Sequence, residues 1–513
     1  MKPFLKIYVA LLITLVSACA KDIESATDNA PSLTPEKVDA TAGSWKPILL
    51  VSPEEFPVAA PDSVNKPDYI AQLSEIKSWQ AAISNEEKAA VKYWSAGAVL
   101  RWNELLRELV AKHNVPPYQN ADGTYPVPNA TNPLAYPTFP FSNPPYAARA
   151  YAYVAAAQYD ALIAAWHYKF MYNRSAPYKY DSSIKTMVSK SDLPSYPSED
   201  AVVAGVMSEM MKLLFPGDQD FVQQKIESHI HARLIAGANV RSDIDAGIAL
   251  GKAVAKKFVA KARTDKAGQA VGTPADWAKF EANCVAVGET PWMSLELPKR
   301  PCMLPLFGNV KSIHIDSATM VSLIPGPPPS VHSEQMKQEL QEVYDNVTDI
   351  SRDKIAIVHF WADGVNTATP PGHWNAIAAA DFIERNFSEV RWARNLALLN
   401  ISMMDAAIIC WATKTKYFNP RPSQLNPAIK TLTGVPNFPS YISGHSTFSG
   451  AAATVLGYIV PERKSAYEAM ASEASMSRLY GGIHYRSDCE TGLLVGKNVG
   501  DISVARGMQD GAN

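Results

Sequence analysis

The sequence lacks the features that mark nucleic-acid-binding, zinc-binding and membrane-embedded proteins. Its 513 residues carry a formal net charge of −2 and only 19% are charged, so no basic field favours a nucleic-acid partner. The five cysteines do not have the paired spacing of a zinc site. Beyond the N-terminus, no run of about 18 apolar residues is long enough to span a bilayer. The 47% of apolar residues therefore predicts a globular body with a large core.

Alternating β-branched residues are also scarce, which argues against a β-protein. Alanine-rich stretches of helical periodicity dominate, and most of the 38 prolines fall between them. The pattern predicts an all-α fold with long irregular loops at about 114–145 and 265–330. Helices are expected within 70–112 and at about 146–170, 199–214, 219–236, 241–263, 334–347, 352–361, 373–385, 389–412, 446–458, 463–478 and 488–507.

The N-terminus has the form of an export signal. Lys2 and Lys6 precede an apolar run over 7–16, and small residues then lead to Cys19. This order is typical of a bacterial lipobox, and an ordinary secretory signal is the alternative. We expect signal peptide 1–19 and an exported lipoprotein, facing the periplasm or anchored in the outer membrane, that contacts the membrane only through lipid on Cys19. Residues 20–75, rich in Pro, Ser, Ala and Asp, are predicted to be a flexible tether.

Four cysteines remain in the body, and export would allow them to oxidise. Cys284 and Cys302 flank a proline-rich loop and are the candidate disulfide, with free thiols as the alternative. Cys410 and Cys489 lie in apolar helical context and are predicted to be buried free thiols.

An internal repeat recurs at a fixed offset of 245 residues. Its matches include Trp166, Lys169 and Tyr172 with Trp411, Lys414 and Tyr417, and Arg233 with Arg478. The repeat predicts two related helical bundles, 148–254 and 393–499, in an N-terminal domain 76–330 and a C-terminal domain 331–513. Shared helix-and-loop composition is the alternative.

The two copies differ at the residues that carry chemistry. Ala176, Glu199, Asp200 and Asn239 of the first copy stand where the second has Arg421, Gly444, His445 and His484. The first copy therefore has an acidic pair and no histidine at these positions, and we expect no anion to bind there. This contrast places the active site in the C-terminal bundle.

Three motifs in the C-terminal bundle supply what a tetrahedral oxyanion needs. They are Lys414-x6-Arg421-Pro422, Ser443-Gly444-His445 and Arg478-x5-His484-x3-Asp488. The lysine and arginines bring positive charge, and each arginine adds a planar fork for phosphate-like oxygens. The serine hydroxyl and the glycine N–H are neutral donors. Two histidines remain to ligate or attack the central atom and to move a proton. The set predicts a site for phosphate or its isostere vanadate.

Together the motifs resemble the signature of the superfamily that joins type 2 phosphatidic acid phosphatases (PAP2), bacterial acid phosphatases and vanadium-dependent haloperoxidases. The signature covers residues 414–488. Two more segments, Phe360-Trp361-x-Asp363-Gly364 and Thr369-Pro370-Pro371-Gly372-His373-Trp374, resemble the soluble haloperoxidase branch.

The resemblance implies a role for each residue. His484 would be the axial ligand of vanadate, or the nucleophile toward phosphate. His445 would hydrogen-bond the apical oxygen and move protons. The equatorial oxygens would be held by Lys414, Arg421, Ser443, Gly444 and Arg478.

Four neighbours are further candidates. Asp488 lies one turn beyond His484 and is placed to accept its other ring N–H, with a purely structural cap or ion pair as the alternative. The resemblance suggests Asp363 as an acidic neighbour of His445, with a helix cap as the alternative. Trp411 and Phe438 fall where haloperoxidases shape halide access, and core packing is the alternative for both.

The resemblance leaves three functions open. The preferred one is halide oxidation by hydrogen peroxide to hypohalous acid, with vanadate as the cofactor. The second is a periplasmic acid phosphatase that cleaves a phosphate ester through a phosphohistidine at His484, with no cofactor. The third is a lipoprotein that binds oxyanions without catalysis. The double bundle and the long loops favour the haloperoxidase.

Overall fold

The computed structural model describes residues 29–115, 143–297 and 299–512, and within these ranges the chain contains helices and no β-strand. The prediction of an all-α fold is confirmed. The predicted signal peptide and Cys19 lie outside the described residues. The helices of nine or more residues are α1 (Pro67–Ala81), α2 (Asn85–Trp94), α3 (Ala98–His113), α4 (Pro144–Tyr172), α5 (Glu199–Leu214), α6 (Gln219–Ile235), α7 (Arg241–Arg263), α8 (Pro274–Ala286), α9 (Glu334–Thr348), α10 (Arg352–Phe360), α11 (Thr369–Glu384), α12 (Glu389–Tyr417), α13 (Gly444–Ile459), α14 (Lys464–Tyr480) and α15 (Arg486–Gly507).

Local sequence explains most helix ends, and two of them lie four or five residues from the predicted position. Helix α11 begins at Thr369 rather than 373 because Pro370 and Pro371 occupy its first turn, where a missing N–H costs nothing. Helix α12 continues past 412 to Tyr417 and ends at Phe418, which adopts the left-handed conformation with φ 48°. The extra turn places Lys414 at the C-terminal end of a rigid helix.

Two long helices, α4 and α12, pack against each other at the centre of the molecule. Both are buried along almost their whole length. The largest cluster of buried apolar side chains contains residues from both helices and from both predicted domains. The boundary predicted at 330/331 therefore does not separate two independent cores.

Beside each long helix, two helices approach closely through glycine. An ideal Cβ built on Gly251 of α7 would lie 2.1 Å from the carbonyl oxygen of Val202 in α5. One built on Gly496 of α15 would lie 2.2 Å from the carbonyl oxygen of Thr447 in α13. Both distances are far below van der Waals contact, so only glycine permits these two crossings.

The helices of the two halves correspond in position. Helices α4, α5, α6 and α7 begin 245 residues before α12, α13, α14 and α15, respectively. The short helical turns Pro177–Tyr180 and Pro422–Leu425 keep the same offset.

The prediction of a flexible tether over residues 20–75 is wrong for its described part. Ala42 and Trp45 are buried, and α1 already begins at Pro67. The backbone N–H groups of Ile48, Leu49 and Leu50 donate to the buried carboxylate of Asp160, at 2.6, 2.7 and 3.0 Å. Composition suggested a tether because these residues form no helix, yet their amides are satisfied by a side chain of α4.

Two irregular segments lie against the two halves in matching ways, and we call them the first strap (38–61) and the second strap (303–328). Trp166 Nε1 donates to Val38 O at 2.8 Å, and its counterpart Trp411 donates to Met303 O at 3.1 Å. The hydroxyls of Tyr172 and Tyr196 donate to Val58 O and Ala59 O; those of Tyr417 and Tyr441 donate to Pro325 O and Gly326 O. The second strap, which is part of the predicted loop 265–330, therefore packs on the C-terminal bundle.

The candidate disulfide between Cys284 and Cys302 is not formed, and both cysteines are buried free thiols. Burial raises the pKa of the Cys302 thiol to about 12, which disfavours the thiolate that oxidation requires. Cys410 and Cys489 are buried free thiols, as predicted.

Within the described ranges, one segment, Glu389–Leu425, is long and apolar enough to cross a membrane. Of its most apolar window, 94% is buried inside the body, so its hydrophobicity is explained by packing in the core.

Candidate oxyanion site

The three motifs meet where α12, α13 and α14 end or begin. We call Lys414, Arg421, Ser443, Gly444, His445, Arg478 and His484 the cage. Lys414 lies in the last turn of α12, and Arg478 in the last turn of α14. Ser443 is the N-cap of α13, and His484 lies just before α15.

Lys414 supplies a buried charge and fixes the loop that leads to α13. Its ammonium donates to three backbone carbonyls, those of Pro439, Ser440 and Ile442, at 2.9, 2.8 and 2.5 Å. An ammonium has three donors, so all of them are used within the protein. Lys414 therefore acts on an anion here through its charge, rather than through the direct oxygen contact that the sequence suggested.

Arg421 joins the loop to His484. Its Nε donates to Phe438 O at 2.9 Å, and its Nη1 donates to Ile483 O at 2.7 Å. The same Nη1 lies 3.0 Å from His484 Nε2. Since a guanidinium only donates, Nε2 is the acceptor and carries the lone pair. Nη2 is buried and has no hydrogen-bond partner among the described residues.

Asp488 fixes the other side of the His484 ring. The carboxylate oxygen Oδ2 lies 2.9 Å from Nδ1, which therefore carries the proton. The same oxygen accepts the Ser440 hydroxyl at 2.5 Å and the Tyr485 N–H, at the start of α15, at 3.1 Å. Both alternatives for Asp488 thus hold in the geometry, since it caps a helix and contacts the imidazole.

The N-terminus of α13 presents neutral donors. Ser443 Oγ accepts the Ser446 N–H at 3.3 Å, which fixes the first turn. The amide of Gly444 belongs to this first turn, where a helix leaves N–H groups without an internal acceptor. A Cβ built on Gly444 would lie in ordinary van der Waals contact with the rings of Phe448 and Trp411, at 3.8 and 3.9 Å.

His445 faces an acidic neighbour. Its Nε2 lies 3.8 Å from Asp363 Oδ2, too far for a hydrogen bond, and has no hydrogen-bond partner among the residues described. Asp363 is nearer to His373, whose Nδ1 lies 3.1 Å from its Oδ1. The ring of Trp361 stacks on His373 at a centroid distance of 4.5 Å. Asp363 thus stands between two histidines and does not cap a helix.

Trp411 and Phe438 lie against the cations. Their ring centroids are 5.1 Å apart. The Phe438 ring lies 4.9 Å from the Arg421 guanidinium carbon and 5.1 Å from Lys414 Nζ, within the range of cation–π attraction. Both aromatic side chains are buried, so they border the cage and also belong to the core.

Burial and mutual repulsion lower the proton affinity of the whole cage. Burial lowers the pKa of Lys414 to about 8, and those of Arg421 and Arg478 to about 10. The pKa values of His445 and His484 lie well below the usual range, because of burial and then of the neighbouring arginines. Both imidazoles are therefore neutral at neutral pH, while the cations remain charged and favour an anion.

Two neighbours of the cage were missed from the sequence. Ser440 contacts Asp488 and lies 3.4 Å from His484 Nδ1. Its counterpart Ser195 is kept in the first copy, and this match was the signal that could have found it. His373 was not predicted to contact Asp363, because only the turn between α10 and α11 brings them together.

Residues 395–503 match the model of the PAP2 superfamily. This PAP2 segment contains all three motifs, the whole of α13 and α14, and most of α12 and α15. No curated protein matches the sequence.

The fold is similar to solved structures of bacterial haloperoxidases. One is described as the first bacterial vanadium-dependent iodoperoxidase: it is 21% identical, with a TM-score of 0.59 over 80% of this chain and 96% of that one. A holo-type bacterial vanadium-dependent chloroperoxidase is 13% identical, with a TM-score of 0.51 over 75% of this chain and 97% of the other. The apo-type chloroperoxidase is 12% identical, with a TM-score of 0.50 over 72% and 95%. At these identities the similarity shows the fold alone.

Proposed function

We propose that this protein is a vanadate-dependent haloperoxidase, which oxidises halide with hydrogen peroxide to hypohalous acid. The observation that carries the proposal is the state of His484. Its ring is neutral, its Nδ1–H is donated to Asp488, and its Nε2 carries a lone pair that accepts only the Nη1–H of Arg421 among the described residues. A metal ligand needs such a lone pair, held by a partner on the opposite ring nitrogen.

The donor set fits vanadate. The buried Arg421 Nη2, without a partner among the described residues, provides a donor for an oxyanion. The first-turn amides of α13, including that of Gly444, provide further donors. His484 would be the ligand, and Lys414, Arg421 and Arg478 would offset the negative charge. Bound vanadate would supply Lewis-acid activation of peroxide toward halide.

His445 would handle the proton. Its ring is neutral and its Nε2 is free to accept a proton from peroxide or to return one. Asp363, 3.8 Å away, would stabilise the imidazolium that forms. The burial of the cage keeps water from competing for these donors.

The second candidate, a phosphatase, uses the same residues, and one observation favours the first. The similarity to the iodoperoxidase extends over 80% of this chain, and so includes both halves and not the PAP2 segment alone. A lone PAP2 bundle would need only the cage and its supporting helices.

The decisive experiment compares the two reactions in one preparation. We expect protein loaded with vanadate to oxidise iodide or bromide with peroxide, and His484→Ala to lose this activity. Asn239→Ala, at the counterpart of His484, is the matched control and is expected to retain it. Hydrolysis of an aryl phosphate that vanadate abolishes, without halide oxidation, would instead establish the phosphatase.

The division of labour between the halves is part of the proposal. We infer that 148–254 and 393–499 arose by duplication, which is supported by the constant offset of helix starts and by the two straps. Catalysis would belong to the second copy, because the first lacks both histidines.

We further propose that the chain is exported and lipidated at Cys19. The test is incorporation of labelled palmitate in a bacterial host. Labelling of the wild type that is absent from Cys19→Ser is expected, whereas equal labelling of both would overturn the assignment.

A further inference from the structure

The N-terminal half contains a cavity of about 100 Å³ at the position that corresponds to the cage. Helices α4, α5 and α6 border it, as α12, α13 and α14 border the cage. Its lining includes Glu199, Asp200, Arg233 and Asn239, together with Glu389 from the other half.

Two cations of the cage are kept here in the same structural positions. Lys169 on α4 is the counterpart of Lys414, is fully buried, and donates to Pro194 O at 2.6 Å. Lys414 makes the same contact with Pro439 O, the counterpart of Pro194. Arg233 on α6 is the counterpart of Arg478. Ser198 caps α5 as Ser443 caps α13.

The N-terminal cavity differs from the cage in the source of its negative charge. Glu199 Oε2 lies 2.6 Å from Lys169 Nζ, and Glu199 Oε1 lies 3.5 Å from Arg233 Nη2. Asp200 Oδ2 lies 2.9 Å from Arg233 Nε. These two carboxylates stand where the cage has Gly444 and His445, at the N-terminus of the equivalent helix. Arg478, in contrast, has no carboxylate within ion-pair distance among the described residues; it donates to Val358 O and Ser477 Oγ.

The surrounding groups hold the carboxylates in this place. Nδ1 of His229 accepts a hydrogen bond from Trp102 Nε1–H at 3.2 Å, so Nε2 carries the proton and donates to Asp200 Oδ1 at 2.9 Å. Glu389 accepts the N–H groups at the start of α3, and burial raises its pKa to about 8. Among the described residues no ion pair joins Glu389 to Lys169 or Arg233, so these two cations are left to Glu199 and Asp200.

We propose that this cavity is a second oxyanion cage whose anion is supplied by the chain itself, with the carboxylates of Glu199 and Asp200 in place of a bound phosphate-like ion. Burying the two cations without a negative charge nearby costs a large amount of free energy. In the N-terminal half the negative charge belongs to side chains of the protein, so the two cations are neutralised without a ligand. In the C-terminal half it has to come from solution.

The test removes the built-in anion in a protein whose C-terminal cage is disabled. The parent carries Arg421→Ala and His484→Ala, and the variant adds Glu199→Gly and Asp200→His, the residues of the C-terminal copy. The probe is inorganic phosphate, measured by calorimetry. We expect the variant to bind one more phosphate than the parent, and Lys169→Met in the variant to abolish that extra site. A folded variant with no extra site overturns the proposal.

If the variant does not fold, Glu199→Gln in the same parent gives an independent answer. The amide keeps the shape and loses the charge. We expect a lower melting temperature that millimolar phosphate raises again, with no such effect of phosphate on the parent. A melting temperature that does not respond to phosphate in Glu199→Gln would show that the carboxylates do not stand in for an anion. Neither experiment depends on the proposed haloperoxidase activity.

Discussion

Replacing Asp488 with asparagine separates its contact with His484 from its role as a helix cap. The amide oxygen keeps the size and position of Oδ2 and can still accept from Tyr485 N–H and Ser440. What changes is the charge opposite His484 Nδ1, now 2.9 Å from a carboxylate oxygen. The imidazole becomes a poorer ligand, because its lone pair at Nε2 is less basic.

The magnitude follows from the kind of hydrogen bond that is lost. A hydrogen bond to a charged group contributes about 1.5–3 kcal/mol and a neutral one about 0.5–1.5 kcal/mol, so the difference is about 1–1.5 kcal/mol. That corresponds to about a tenfold weaker affinity for vanadate. The same substitution removes a negative charge near the cations, which favours any anion. Sulfate, which forms no bond with His484, is therefore expected to bind as well as before or better.

The assay is calorimetric titration of both anions, with vanadium NMR to detect the bound species. Asp243→Asn is the matched control, because Asp243 is the counterpart and caps α7 through the Val240 N–H. Asp243 also forms an ion pair with Arg174. The melting temperature of the Asp243→Asn variant is therefore expected to fall, while the ratio of its vanadate affinity to its sulfate affinity stays constant. If Asp488→Asn leaves that ratio unchanged, Asp488 acts only as a cap.

Three further substitutions or conditions test the cage. Sulfate affinity is expected to fall about tenfold per pH unit above pH 8, because Lys414, with its pKa of about 8, loses its charge there; sulfate itself does not titrate, and a profile flat to pH 10 would refute this. Arg421→Lys should weaken the binding of vanadate by about tenfold or more, since a lysine cannot contact Phe438 O and His484 together. An unchanged vanadate affinity in calorimetry would contradict this expectation. Gly496→Ala and Gly251→Ala should each lower the free energy of unfolding by denaturant by about 1–3 kcal/mol. Only Gly496→Ala, on the helix that packs on α13, should also weaken the binding of sulfate. An equal loss of sulfate affinity in both variants would argue that α13 does not position the site.

Local signals were enough to predict most of the helices, but the prediction of an irregular loop over 265–330 is wrong at α8 (Pro274–Ala286). Helices α5 and α7 have the predicted bounds, since Ser198 caps the first and a strong amphipathic pattern runs through the second. The three motifs converge because helix ends lie at the same face of the bundle. The family match over 395–503 contains every one of them.

The remaining features depend on contacts between distant parts of the chain. Residues 48–50 look like a linker until Asp160, more than a hundred positions away, is seen to accept their amides. The correspondence of the two straps is not visible at the offset of the repeat, because Val38 and Met303 are 265 residues apart while the helices keep an offset of 245. Similarly, the motif with Lys414 predicts a charge in the site, but not that backbone carbonyls take all three of its donors.

Because α4 and α12 pack against each other, the two halves of the chain have to be expressed or redesigned together. A fragment that keeps only the PAP2 segment would turn the buried face of α12 toward water. Each large apolar side chain exposed there costs about 1.5–3 kcal/mol, and a handful would exceed the 5–15 kcal/mol by which a typical domain is stable. The N-terminal half is thus the scaffold on which the C-terminal half folds, and moving the cage to another protein would require both halves.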